Sequence, residues 1–169
     1  FSEYDMFDLP DIDQIADIMA EAGRIAMEGG QRLSFHPGPF NVLASPNESV
    51  VVKTIKELND HAEQMDLMGL PASPMAKINI HVGGAYGEHD KALQRFCKNF
   101  ERLAPSAQAR LTVENDDKAN LYSTKMLFEG VSKRTGIPIV FDSHHHELGP
   151  QDLDYHDAFY LARQTWQDR

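Results

Sequence analysis

Apolar residues along this chain fall into two alternating rhythms. Short runs of Ile, Val, Leu and Phe, bounded by Gly, Pro, Asn or Asp, predict buried strands over Leu33–His36, Lys77–Val82, Arg110–Glu114 and Pro138–Asp142. Between the runs the spacing turns helical. Ile12, Ile15, Met19, Ala22 and Ile25 mark a first stripe, closed by Gly29-Gly30. Val51, Ile55, Leu58, Ala62 and Met65 mark a second, opened by Ser45-Pro46-Asn47-Glu48, and Leu93, Phe96, Phe100 and Leu103 a third. Met126, Leu127 and Val131 form a shorter stripe ended by Gly136 and Pro138. Tyr155, Phe159, Ala162 and Trp166 predict the last helix.

The order is one helix and then four strands, each followed by a helix, which implies an α/β fold with a parallel sheet and right-handed crossovers. No glycine-rich phosphate loop follows any strand, and Val82-Gly83-Gly84 lacks the dinucleotide spacing. A nucleotide cofactor is therefore not expected. What remains is a (β/α)8 TIM barrel, which needs ~250 residues. The 169 residues here make about half of one. The chain starts at Phe1 without a methionine and stops at Arg169, so 1–169 is expected to be a single partial TIM-barrel domain, truncated at both ends.

Composition narrows the picture. Hydrophobic residues at 41% and charged residues at 25% suit a globular protein with a real core. No apolar run approaches the ~20 residues of a membrane span. The single cysteine, Cys97, excludes a disulfide framework and cysteine-built zinc sites, and fits a reducing, intracellular (cytoplasmic) setting. Cys97 lies on an apolar stripe and is expected in the core. Sixteen basic against twenty-six acidic residues leave −10, which argues against a polybasic nucleic-acid surface.

The candidate chemistry lies at the strand ends. The strands finish in Phe35-His36-Pro37-Gly38, Ile80-His81-Val82-Gly83-Gly84, Val113-Glu114-Asn115-Asp116-Asp117-Lys118 and Phe141-Asp142-Ser143-His144-His145-His146. In a parallel barrel these ends converge on one mouth. His36, His81, Glu114 and Asp142, with His145 three residues beyond, form a mixed nitrogen and oxygen donor set suited to zinc, manganese or non-haem iron. One histidine at a strand end is usually structural; four consecutive strand ends of ligand type argue for a metal site. His61, His89 and His156 are expected on solvated surface. Asp116-Asp117 is expected to be a solvated loop. In His144-His145-His146 a strand's alternation would send neighbours to opposite sides.

Arg32-Leu33-Ser34-Phe35-His36-Pro37-Gly38, Leu43-Ala44-Ser45-Pro46-Asn47-Glu48, Lys77-Ile78-Asn79-Ile80-His81-Val82-Gly83-Gly84, Leu111-Thr112-Val113-Glu114-Asn115-Asp116-Asp117-Lys118 and Phe141-Asp142-Ser143-His144-His145-His146 together closely resemble the UV damage endonucleases. The resemblance runs in order over nearly the whole chain. It implies a TIM barrel similar to endonuclease IV, up to three divalent metals at the mouth in the complete enzyme (manganese first, zinc or magnesium as alternatives), and nicking of damaged double-stranded DNA directly 5′ of a UV photoproduct. By the same resemblance His36, His81 and Glu114 bind one metal, and Glu114 bridges to a second that Asp142 also binds. His145 binds the third, and Glu114, Asp142 and His145 are the catalytic set. Where some members carry a Gln and an aromatic that probe the lesion, this chain has Pro39 and Phe40. The amide is lost and the aromatic kept. The resemblance places the segment between the second and sixth β/α units of a monomer, with further ligands outside it. Two other readings stand beside it: a xylose-isomerase-like sugar isomerase or epimerase, and a non-catalytic metal-binding fragment.

Overall fold

Three parallel strands run through the centre of the computed structural model, which describes residues 9–150 and 152–166. They are β1 (Ile78–Ile80), β2 (Leu111–Glu114) and β3 (Ile139–Val140), hydrogen-bonded in chain order. The register pairs Asn79 with Thr112 and Val113 with Ile139. On the far side of β1, Phe35 adds one parallel bridge to Ile78. Successive segments therefore lie side by side without reversal. Right-handed crossovers that always step the same way put the connecting helices on one face and leave the other to curl round an interior. The sheet is an arc of a barrel, not a doubly wound sheet whose order turns back on itself.

Strand alternation divides the residues between the two faces. Ile78, Ile80, Leu111, Val113 and Ile139 point outward into the hydrophobic core. Asn79, Thr112 and Glu114 lie on the opposite, inner face. The helices are α1 (Ile12–Glu28), α2 (Glu48–Leu67), α3 (His89–Phe100), α4 (Pro105–Arg110), α5 (Thr124–Leu127), α6 (Lys133–Thr135), α7 (Ser143–Leu148) and α8 (Tyr155–Gln164). A π-helical turn at Phe128–Ser132 joins α5 to α6. Leu58, Ala62 and Met65 of α2, Ala92, Leu93 and Phe96 of α3, and Leu127 and Val131 cover the outer face. Arg110, fully buried, ties the start of β2 to α2. One guanidinium nitrogen pairs with Asp66 at 2.9 Å and another donates to the Leu70 carbonyl at 2.8 Å. None of the described helices is long and apolar enough to cross a membrane.

The expected first strand, Leu33–His36, shrinks to the single rung at Phe35. Its N–H donates to Lys77 O and its carbonyl accepts from Asn79 N, each at 2.9 Å. Pro37 has no N–H with which to continue the ladder. Two helical stripes are shifted from their expected register. In α1 the buried residues are Gly23 and Ala26, while Ile25 is 55% exposed. Gly23 lies against the end of α2, where a Cβ would come within 1.8 Å of the Met68 carbonyl oxygen. In α8 Ala158 and Ala162 are buried, and Tyr155 and Phe159 are largely exposed, flanking Phe141 edge-on. In both helices the smallest side chains, not the largest, make the closest approach. Trp166 donates from Nε1 to the Ile139 carbonyl at 2.7 Å.

Candidate metal centre

Glu114, the last residue of β2, is 5% exposed and lies between two groups of donors. Its Oε2 is 3.5 Å from His36 Nε2, and its Oε1 is 3.2 Å from His145 Nδ1. The rings of His36 and His81 are 5.9 Å apart, and those of His81 and His145 are 5.3 Å apart. One ligand atom each from His36, His81 and Glu114 falls within 4.8 Å of the others, as does one each from Glu114, Asp142 and His145. All five expected donors thus meet on one face, with Glu114 common to both groups. Among the described residues no lysine or arginine pairs with the Glu114 carboxylate. A buried carboxylate facing only imidazoles and an amide is costly unless a cation joins it. The donor set therefore fits a divalent metal.

The strands prepare Glu114 for this role. Thr112 donates from Oγ1 to Asn79 Oδ1 at 2.8 Å, which fixes the Asn79 amide so that Nδ2 donates to Glu114 Oε2. The chain of two hydrogen bonds follows the inner face across the Asn79–Thr112 rung. Outer-shell partners of this kind orient ligands. Burial pushes the His81 imidazole below its ordinary pKa, against the opposing pull of Glu114, with His145 and His36 adding to the depression. His81 is thus neutral near pH 7, the form that binds metals.

Beyond β3 the chain does not continue into a loop. Asp142 is the N-cap of α7, and its Oδ1 accepts from His145 N at 2.8 Å. The cap makes His145 the third residue of the helix, so a ligand-type carboxylate and a ligand-type imidazole are placed by one local motif. Burial raises the Asp142 carboxyl, but the His145 and His144 backbone N–H groups and side chains outweigh it, and the pKa falls below the usual carboxylate range. Asn115 exchanges two 2.9 Å bonds with the Asp142 backbone, one to its carbonyl and one from its N–H. The expected strand alternation over His144-His145-His146 is corrected to helical spacing. His145 faces Glu114, His144 is exposed, and His146 is buried against Phe141 and Tyr155.

Pro39 and Phe40 form the exposed tip of a loop that is otherwise tied down. Asn41 donates to Glu57 at 2.9 Å, Val42 N to Thr54 at 3.1 Å, and Asn99 and Arg95 to the Leu43 and Ala44 carbonyls, both at 2.8 Å. Phe40 is 88% exposed. The loop after β1 packs on this one, since a Cβ at Gly83 would lie 2.7 Å from the Val42 side chain. That second loop carries Tyr86, half exposed, at a left-handed φ of 52°, with the Arg95 guanidinium 5.6 Å from its ring centre.

Several expectations are corrected. Asp116 is not solvated but 5% exposed, its Oδ1 3.4 Å from His81 Nδ1, and burial pushes its carboxyl up to about 7. Asp117 does lie on the surface. His61 is half-buried, edge-on to Phe35 at 4.5 Å, and His89 bonds the Asn120 carbonyl at 2.8 Å; only His156 is freely exposed. Cys97 is partly buried, its thiol donating to the Gly130 carbonyl at 3.3 Å. Sequence does not single out Asn79, Thr112 or Asn115, and assigns Asp116 to a solvated loop. The first two carried a signal, because Ile78-Asn79-Ile80-His81 and Leu111-Thr112-Val113-Glu114 both alternate apolar with polar and so assign one face to the polar set.

Residues 6–169 match the family model described as UV-endonuclease UvdE. The UV DNA damage endonuclease of Bacillus pumilus (strain SAFR-032) is 40% identical over 132 residues, which are 78% of this chain and 40% of that protein. The UV-damage endonuclease of Neurospora crassa is 40% identical over 135 residues, 79% of this chain and 20% of that protein. The crystal structure of SacUVDE matches at a TM-score of 0.84 and 39% identity, covering 93% of this chain and 52% of that one. The chain spans about half, or less, of the length of these relatives.

Proposed function

The chain belongs to the UV-endonuclease UvdE family, and on that premise we propose that it carries part of the active site of a divalent-metal-dependent endonuclease that nicks DNA 5′ of UV photoproducts. The observation that carries the proposal is the shared position of Glu114, one oxygen toward His36 and the other toward His145. The family match favours this reading over the sugar isomerase and over an inert remnant.

His36, His81 and Glu114 would hold one cation, and Glu114, Asp142 and His145 a second, so that His145 joins the cation of Asp142 instead of the third metal that the resemblance implies. With these residues holding them, divalent metals would supply charge neutralisation at the attacking and leaving oxygens of a phosphodiester and a lowered pKa for bound water; manganese is the metal we favour. The protein's own part is to hold the donors still. Thr112 and Asn79 fix Glu114, and Asn115 fixes the backbone at Asp142. The His36 side chain is 56% exposed, so the centre opens to solvent on the side where a DNA phosphate would approach. Phe40, exposed at the tip of a pinned loop, would wedge or stack at an unstacked lesion, a sequence-tolerant contact because every base has a π-face. Pro39 beside it supplies shape but no hydrogen bond.

The test uses the full-length protein with UV-irradiated and untreated supercoiled plasmid. Nicking of irradiated plasmid alone, lost on chelation and restored by Mn2+, is the expected result. Glu114→Gln should abolish nicking with the melting temperature preserved, because an amide keeps the Asn79 hydrogen bond but not the charge. Cleavage indifferent to chelation, or near-normal cleavage by Glu114→Gln, would overturn the proposal.

A further inference from the structure

Asp116 is a second buried carboxylate at the centre, and neither donor group includes it. Its Oδ1 faces His81 Nδ1 at 3.4 Å. The pair is a close electrostatic contact just short of an aligned hydrogen bond, and among the described residues neither His81 Nδ1 nor Asp116 Oδ2, both buried, has another hydrogen-bond partner. The backbone around Asp116 is locked. Its N–H donates to the Tyr122 carbonyl at 2.9 Å, and its own carbonyl packs on Gly149 at the end of α7, where a Cβ would lie 2.2 Å away. The carboxylate is thus held at a fixed position beside the His81 ring.

An imidazole that binds a cation through Nε2 carries its proton on Nδ1, and a buried Nδ1–H needs an acceptor. The residue next in sequence already performs this service for a second histidine: the Asn115 carbonyl oxygen is 3.0 Å from His145 Nδ1. Asn115 and Asp116, the two residues that follow Glu114, therefore present acceptors to two different donor histidines. We infer that Asp116 is a positioning residue: it holds His81 in the Nδ1–H tautomer, so that Nε2 is the atom turned to the cation shared with His36 and Glu114. The inference rests on the metal-centre reading above. Asp116 binds neither cation nor DNA; it acts only through His81.

The experiment is 15N–1H NMR of the metal-free chain, with the His81 signal assigned by its loss in His81→Gln, alongside Mn2+ titration followed by EPR. In the wild type His81 should be the Nδ1-protonated tautomer. Asp116→Ala should let the Nε2-protonated form appear and weaken Mn2+ binding by about 10–100-fold, the usual cost of losing such a partner. Asp116→Asn, whose amide oxygen still accepts, should restore the tautomer. The melting temperature of Asp116→Ala should not fall, because a poorly solvated carboxylate has been removed. Two results would overturn the inference. One is an unchanged His81 tautomer in Asp116→Ala with a lower melting temperature, which would make Asp116 merely structural. The other is complete loss of Mn2+ with the tautomer unchanged, which would make it a direct ligand. A wild-type chain that binds no Mn2+ would count against the metal-centre reading, and the tautomer comparison would still decide the role of Asp116.

Discussion

Glu114 and Asp116 are two residues apart on the same strand exit, yet their surroundings give them different work. Glu114 lies among three nitrogen donors and an amide. Asp116 faces one imidazole edge and is shut in by the Tyr122 backbone and the end of α7. The place of Glu114 among the donors is legible from sequence because it closes a strand, whereas its bridging role is what the family resemblance implies. The place of Asp116 is not legible, since Asn115-Asp116-Asp117 reads the same whether the turn is solvated or buried, and what buries it comes from elsewhere in the chain. On the proposed function, Phe40 is the residue whose exposure bears most directly on substrate. An aromatic 88% exposed at the tip of a loop with four hydrogen-bonded anchors does little for stability. Base–aromatic stacking is worth ~1–3 kcal/mol per base. Phe40→Ala should therefore leave the melting temperature unchanged and weaken binding of the full-length protein to a photoproduct-containing duplex by roughly tenfold or more. Equal affinities for wild type and variant in fluorescence anisotropy would remove Phe40 from recognition.

At the scale of elements, α7 joins structure to chemistry. Asp142 both caps the helix and offers a carboxylate to the Glu114–His145 group. Two substitutions separate these duties. Asp142→Asn keeps a capping oxygen and should hold stability to within about a few tenths of a kcal/mol while lowering metal affinity. Asp142→Ala should lose metal affinity and also ~1 kcal/mol of stability. A full loss of stability in the Asn variant, seen by thermal denaturation, would show that the charge and not the cap holds α7. The contact between α1 and α2 gives a second check. Gly→Ala within a helix ordinarily stabilises by ~1 kcal/mol, but at Gly23 the added methyl meets the Met68 carbonyl. Gly23→Ala should therefore destabilise by about 1–3 kcal/mol, as overpacked contacts do; a raised melting temperature would mean that α1 does not sit where it is described. Hydrophobic spacing located α1 and α8 and caught part of their packed edge, Ile12, Ile15, Met19, Ala162 and Trp166, but missed Gly23, Ala26 and Ala158. It marks where large apolar side chains recur, whereas these helices approach most closely through Gly23, Ala26, Ala158 and Ala162. Helix α7 was hidden for a different reason. Ser143-His144-His145-His146 has no apolar period at all, and only the cap at Asp142 announces the helix.

For the whole molecule, the order of strand ends was the strongest message in the sequence, because a parallel arc built in chain order brings successive strand ends to one mouth. For the proposed function, charge matters locally more than in bulk. A net −10 argues against a polyanionic partner when read as a bulk property, but DNA feels the local field within ~10 Å, and two divalent cations would add about +4 around Glu114. On the proposed function, the acidic residues would favour cation capture first and leave DNA binding dependent on it. That sequence of events, and the central place of Glu114 in it, is tested most directly by anomalous X-ray diffraction from crystals of this chain grown with Mn2+. An anomalous peak is expected within coordination distance of the Glu114 carboxylate, flanked by His36 and His81, with no such peak in Glu114→Gln crystals. Manganese bound elsewhere, or a peak at that position that survives Glu114→Gln unchanged, would contradict the central place of Glu114.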